Sequence, residues 1–84
     1  MVKEGDYVAI FHSIHRVMKA EKILLAQQLD ILLVPVPRQL SADCGMAIRF
    51  GQESFDQVVG ALRKANMESA EIWLKRSGQF RRLP

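Results

Sequence analysis

Residues 34–45 read VPVPRQLSADCG, and this stretch decides how the surrounding chain folds. Pro35 and Pro37 lack backbone N–H donors, so a strand that enters the stretch must lose its hydrogen-bond ladder there. The residues beyond them are mostly polar up to Cys44, the only cysteine, which is followed by Gly45. Glycine permits a sharp turn beside the sulfur. The stretch therefore predicts a strand end, a surface connection and a thiol displayed at a corner.

Outward from this stretch, the hydrophobic pattern predicts four strands and two helices. The predicted strands are residues 7–12, 29–36, 46–50 and 70–75. Apolar residues at helical spacing predict one helix that begins after Ser13, which is a good N-cap. A second helix is expected from about Ser54 to Asn66.

The element order is βαββαβ, which predicts an α+β, ferredoxin-like plait. We expect a four-stranded antiparallel sheet of order 4-1-3-2 with both helices on one face. In that topology the end of strand one, the start of helix one and the connection between strands two and three share one edge. Five polar or reactive residues would then meet at a common end: His12, Ser13, Arg38, Ser41 and Cys44.

The length of 84 residues predicts one small domain at residues 1–75, followed by a flexible basic tail at 76–84. The net charge of +3 arises largely from this tail. No apolar run is long enough to span a bilayer and no signal-peptide pattern opens the chain, so we expect a cytoplasmic protein with no membrane partner. A single cysteine excludes an internal disulfide. A homodimer is compatible with so small a core.

Cys44 is the candidate acceptor thiol, because a thiolate is a good nucleophile where nearby positive charge stabilises it. Arg38 and the N-terminus of the first helix are the candidate stabilisers, whereas Asp43 opposes them. Ser41 is a candidate hydrogen-bond donor, and His12 is a candidate proton carrier.

Each of these residues also has a structural explanation. Cys44 can serve as a small buried hydrophobe, and His12 can simply bond a backbone carbonyl. Arg38 can pair with Glu21 or with a loop carbonyl. Met18 is predicted to fill the core.

Other chemistries lack their signatures. Two histidines near the start and one cysteine do not make a zinc site, no CxxC pair is present, and the glycines form no phosphate-binding loop. The strands also lack the aromatic and basic pattern of RNA-binding plaits. We therefore expect no metal, no cofactor and no nucleic-acid partner.

Residues 11–25, FHSIHRVMKAEKILL, and residues 32–50, LLVPVPRQLSADCGMAIRF, resemble the selenium/sulfur (Se/S) carrier protein-like family. The resemblance extends over about residues 7–75. It implies a single-cysteine carrier that takes sulfur or selenium from a donor such as a cysteine desulfurase, holds a persulfide or selenopersulfide, and passes it to an acceptor enzyme. Such a protein is a transfer partner rather than a turnover enzyme. The pair Cys44 and Gly45 is the part of the pattern that carries this implication.

Two alternatives stay open at this point. The first is a non-catalytic ligand-binding or dimerisation module, because the predicted outer sheet face offers Arg49, Trp73 and Lys75. The second, less favoured, is a nucleic-acid contact through the basic tail.

Overall fold

The protein is described by a computed structural model that covers residues 2–41, 43–67 and 71–84. Within these ranges the fold consists of five strands and two helices. The strands are β1 (Tyr7–Ile10), β2 (Ile31–Pro35), β3 (Met46–Phe50), β4 (Glu71–Arg76) and β5 (Gln79–Arg82). The helices are α1 (Ile14–Ala26) and α2 (Phe55–Lys64), and a 3-10 turn, Gln52–Ser54, precedes α2.

The strands form one antiparallel sheet in the order β2-β3-β1-β4-β5. The predicted α+β class, with two helices and an antiparallel sheet, is confirmed. The predicted four-stranded sheet of order 4-1-3-2 is wrong, because a fifth strand extends the sheet beyond β4 and the order is 2-3-1-4-5. This strand comes from residues that the sequence analysis assigned to a basic tail.

Strand β1 lies at the centre of the sheet and is its most deeply buried element. It pairs with β3 on one side and with β4 on the other, and Val8, Ala9 and Ile10 have no solvent-exposed surface. Its two faces contribute to different apolar clusters. Ala9 points into the main core, which is shared with Ile48 and Phe50 of β3 and with the buried residues of both helices.

A second apolar cluster covers the sheet face opposite the helices. Its buried members are Val8, Ile10, Val34 and Ala47. Partly buried side chains from four further regions pack over them: Val2, Val36, Leu40, Trp73 and Phe80. The loop that follows β2 therefore folds across this face.

The fifth strand depends on a tight two-residue turn. Ser77 and Gly78 both have positive φ, at 55° and 73°, and Arg76 pairs with Gln79 across the turn. Two consecutive residues with positive φ match the twist of antiparallel strands, which is why such turns favour hairpins. The turn is also tied to the chain start, because the backbone N–H groups of Ser77 and Gly78 donate to the carboxylate of Glu4.

Helix α1 begins where the sequence predicted. Ser13 is its N-cap, with an extended backbone and a hydroxyl that accepts a long hydrogen bond, 3.4 Å, from the N–H of Arg16. Val17, Ala20 and Leu24 form the buried face. The predicted core position of Met18 is wrong, since this side chain is 49% exposed.

Neither helix in the described part of the chain has the length and apolar character needed to cross a membrane.

Replacing Phe80 with alanine tests whether β5 contributes to the fold. Phe80 is partly buried against the second cluster, so we expect Phe80→Ala to lower the free energy of unfolding by about 1–2 kcal/mol, below the cost for a fully buried phenylalanine. Urea denaturation measures this change. Arg81→Ala in the same strand is the control, since exposed substitutions of this kind stay within about 0.5 kcal/mol. Equal stability of both variants and the parent chain would contradict a packed fifth strand.

Candidate functional site

The end of the sheet where β1 stops brings three chain segments together. Ile10, the last residue of β1, is paired with Ala47 near the start of β3 and with Glu71 at the start of β4. The turn into α1 follows β1 directly, and the connection from β2 leads into β3 at the same place. The predicted meeting of strand one, helix one and the β2–β3 connection at one edge is therefore confirmed.

Cys44 lies at this end, in the turn immediately before β3, and its side chain is partly buried against the main core. Its Sγ lies 3.1 Å from the carbonyl oxygen of Phe11 and 3.4 Å from that of Met46. A thiol has one proton, so it donates to one of these oxygens at a time. The sulfur is thus neither fully buried nor fully open, and its thiol faces two backbone acceptors.

Gly45, the next residue, has a positive φ of 74°, which favours glycine. A Cβ at this position would meet no atom within 4 Å. The requirement for glycine therefore comes from the backbone conformation alone, and the space that a Gly45 side chain would enter is open.

Gly45→Ala separates backbone strain from access to the thiol. We expect a loss of about 1–2 kcal/mol in the free energy of unfolding, because the left-handed conformation is unfavourable for alanine. The rate at which folded Cys44 reacts with a small maleimide should stay unchanged, since the added methyl group meets nothing. Gly60→Ala is the matched control: it lies within α2 with open space around it, and should raise stability by about 0.5–1 kcal/mol. A destabilised Gly60→Ala, or an unaffected Gly45→Ala, would contradict this account.

His12 lies at the same end but contacts a different partner. Its Nε2 is 2.5 Å from the Oε2 of Glu71, and the indole N–H of Trp73 donates to the other carboxylate oxygen at 3.1 Å. The hydrogen bond from His12 is the main reason why the pKa of Glu71 lies below its usual range; the bond from Trp73 and the charge of Arg82 act in the same direction, against partial desolvation. His12 therefore bonds a carboxylate and not the backbone carbonyl that was the structural alternative.

Glu71 is a site residue to which the sequence pattern did not point. Its place in the site follows from register, because the first residue of β4 is paired with the last residue of β1, two positions before His12. A signal was present in the sequence: Glu71 begins the strand that pairs with β1, and His12 follows the end of β1. In an antiparallel pair these two positions lie at the same end of the sheet. That signal requires the β1–β4 pairing to be known.

The ion pair between His12 and Glu71 predicts a specific loss of stability in acid. Because the pKa of Glu71 is lower in the folded chain, its carboxylate stabilises the fold above the unfolded pKa of about 4.3, and this contribution disappears as the pH falls through the folded value. Glu71→Gln should therefore cost up to about 1 kcal/mol at pH 6, since His12 is half exposed and solvent screens the pair. The difference from the parent chain should vanish near pH 2.

Urea denaturation of both proteins across this pH range measures the effect. His12→Gln provides the control. It should lower the free energy of unfolding of the parent chain and leave that of the Glu71→Gln variant nearly unchanged. Parallel stability curves for the parent and Glu71→Gln at every pH would disprove the assigned pair.

Two other predicted site residues lie elsewhere or make no contact with the thiol. Arg38 is exposed and lines a groove of about 390 Å³ with Lys75 and Phe80, on the side of the second cluster, whereas Cys44 packs against the main core. Ser41 is exposed. Within residues 2–41, 43–67 and 71–84, no hydrogen bond or ion pair joins Arg38 or Ser41 to Cys44. Their support of the sulfur stays a prediction.

In the described part of the chain, metal ligands do not assemble at this end of the sheet. Among the described side chains, no group of three or more His, Cys, Asp or Glu residues is placed to hold an ion.

The site and fold together define a small α+β domain that presents a lone cysteine on a glycine turn at one end of its sheet. The chain belongs to the family described as "Putative Se/S carrier protein-like", whose pattern it matches over residues 6–74. Neither curated proteins nor solved structures give a significant match. The matched residues include Cys44, His12 and Glu71, whereas β5 lies beyond them.

Proposed function

We propose that this protein carries sulfur or selenium on Cys44, as a persulfide or selenopersulfide, between a donor and an acceptor enzyme. The single observation that carries the proposal is the placement of the only cysteine, partly exposed, on an open glycine turn in a chain of the Se/S carrier family. The protein is then a transfer partner, and each cycle ends when the acceptor removes the cargo.

The loading step is a thiol exchange that needs no external oxidant. The Cys44 thiolate attacks the outer sulfur of a persulfide on the donor. A new S–S bond forms at Cys44 while the S–S bond of the donor breaks, and the donor cysteine leaves as a thiolate. Unloading repeats the exchange with an acceptor thiol as the attacking group. The oxidation state of the transferred sulfur is the same before and after each step.

The surroundings of Cys44 suit a nucleophile that is released only when needed. The carbonyl oxygens of Phe11 and Met46 accept from the thiol but cannot stabilise a thiolate. Attack therefore requires the sulfur to lose its proton and turn away from these oxygens. The open space beside Gly45 gives a partner room to approach during this step.

Positive charge near the reacting sulfur would come from the first turn of α1. Phe11, which accepts from Cys44, lies two residues before the N-cap Ser13, and the first turn of α1 contains no acidic residue to offset the helix dipole. Arg38 and Ser41 would assist only if the connection before Cys44 rearranges on docking. His12, held by Glu71, is the proposed proton carrier at this end.

The proposed partners are a cysteine desulfurase, or another enzyme that carries sulfur or selenium as a persulfide or selenopersulfide, and an acceptor enzyme. We place the protein in the cytoplasm, where reducing conditions keep a lone thiol free. No resident cofactor takes part, because the exchange occurs between sulfur or selenium atoms.

Loading is tested with a cysteine desulfurase and cysteine, followed by intact-mass measurement under non-reducing conditions. We expect the mass to rise by one sulfur atom, and treatment with a reducing agent should restore it. Starting the same reaction with selenocysteine measures selenium loading.

Cys44→Ser is the matched control and should stay unmodified, because the chain has no other cysteine. Absence of an adduct on the parent chain, or an equal adduct on Cys44→Ser, would overturn the proposal.

A further inference from the structure

A cavity of about 500 Å³ lies between α2, β4 and the end of β5. Six apolar residues line it: Phe55, Val59, Leu62, Met67, Ile72 and Leu83. Binding sites for small organic molecules are usually cavities of about 300–1,000 Å³ with mostly apolar walls and a few polar groups. The size and the lining of this cavity are therefore those of a small-molecule site.

The helix contributes one row of side chains to the cavity wall. Phe55, Val59 and Arg63 are spaced four residues apart, so they follow one another along α2 over about 12 Å. On the sheet side, the N–H of Leu83 donates to the carbonyl oxygen of Ile72 at 2.8 Å, which holds these two residues side by side. Ile72 packs against the main core, on the sheet face that carries the helices. The cavity is thus an apolar slot between helix and sheet, with a cation at the end of its helical row.

Much of the apolar lining is still in contact with solvent. Leu62 and Met67 are buried, but the other four apolar side chains are only partly buried. Apolar residues exposed singly are common, whereas these four surround one cavity. A ligand with an apolar body would remove their remaining surface from water, which favours binding.

The uncommitted charge around the cavity is positive. Arg63 and Arg82 line it, and both are exposed. Within residues 2–41, 43–67 and 71–84, neither arginine forms an ion pair. Glu71 also lines the cavity, but its two carboxylate oxygens already bond His12 and the indole N–H of Trp73. A guanidinium group is well suited to bind a carboxylate, so the two arginines select an anionic ligand.

We propose that this cavity binds a small amphiphilic anion, an organic molecule with an apolar body and one carboxylate. The apolar body lies between α2 and the Ile72–Leu83 pair, and the carboxylate lies at Arg63 and Arg82. The inference goes beyond the proposed function, because Cys44 does not line the cavity. Arg82 and Leu83 also lie outside residues 6–74, the part of the chain that matches the family.

Calorimetric titration with decanoate, below the concentration at which it forms micelles, tests the site. We expect saturable binding of one decanoate per chain, with a Kd of about 10–100 μM for a ligand of this size. Octanoate should bind about four- to tenfold more weakly, because it buries two fewer methylene groups. Decyltrimethylammonium has the decyl chain with the opposite charge, and should bind at least about tenfold more weakly than decanoate.

Removing the two positive charges tests their role. Arg63→Gln/Arg82→Gln should weaken decanoate binding about three- to tenfold, since exposed ion pairs contribute modestly. Lys19→Gln/Lys22→Gln is the matched control. It makes the same change in net charge at exposed residues of α1 that do not line the cavity, and should bind decanoate like the parent chain.

Filling the cavity tests its location. Val59→Trp places a large side chain in the slot and should weaken decanoate binding at least about tenfold. Gly60→Trp adds the same side chain at the next position of α2, where an added Cβ meets open space outside this cavity, and should bind like the parent chain. Leu83→Gln provides a second variant in the lining and should weaken binding several fold. Urea denaturation checks that each variant is folded.

Several outcomes would overturn the inference. Absence of saturable decanoate binding would refute the site, and equal affinity for decanoate and decyltrimethylammonium would refute its selectivity for anions. Parent-like binding by both Val59→Trp and Leu83→Gln would place the ligand elsewhere. A dimer of the parent chain that Val59→Trp dissociates, measured by sedimentation, would assign the cavity to a second copy. Cys44→Ser should bind decanoate like the parent chain, so failure of this inference and failure of the proposed function are separate results.

Discussion

The pairing of β1 with both of its neighbours is the constraint on which the rest of the structure depends. Its four residues are antiparallel to β3 on one side and to β4 on the other. An antiparallel neighbour begins where the central strand ends. Cys44, which lies just before β3, and Glu71, the first residue of β4, are therefore brought to the end of β1.

The same pairing determines the environment of the sulfur. Both acceptors of the Cys44 thiol are backbone carbonyls, one just after β1 and one on the first residue of β3. Their positions follow from the β1–β3 register and do not depend on which side chains surround them. In the proposed carrier role, the thiol must be kept in one position and yet be released readily. One S–H donor with two neutral acceptors provides a hydrogen bond of moderate strength.

Much of this fold could be predicted from the sequence, because its strongest signals are local. The β3 strand, Met46–Phe50, and the Ser13 cap are set by alternation and by hydroxyl chemistry within a few residues. The fifth strand was missed because QFRR shows no apolar alternation, and an edge strand needs only one buried side chain. The Ser77–Gly78 pair was the available signal, since two positive φ values specify a hairpin.

The candidate site was only partly predictable, for a different reason. The meeting of Cys44 with the turn after β1 follows from topology, which the hydrophobic pattern supports. The partner of His12 depends on strand register, and the position of Arg38 depends on how the loop after β2 packs over the second cluster. Long-range packing of this kind leaves no periodic trace in one sequence. The exposure of Met18 could not be predicted for the same reason. Helical spacing alone does not say which flank of an apolar stripe packs against the sheet.

The bond from Trp73 to Glu71 gives the domain a built-in optical reporter. Trp73 is the only tryptophan in the chain, and its indole N–H touches the carboxylate that also holds His12. Indole fluorescence responds to the charge and polarity of such a neighbour, so emission from the unlabelled protein reports on the bond between Trp73 and Glu71. A change in the His12–Glu71 pair can thus be followed without attaching a dye.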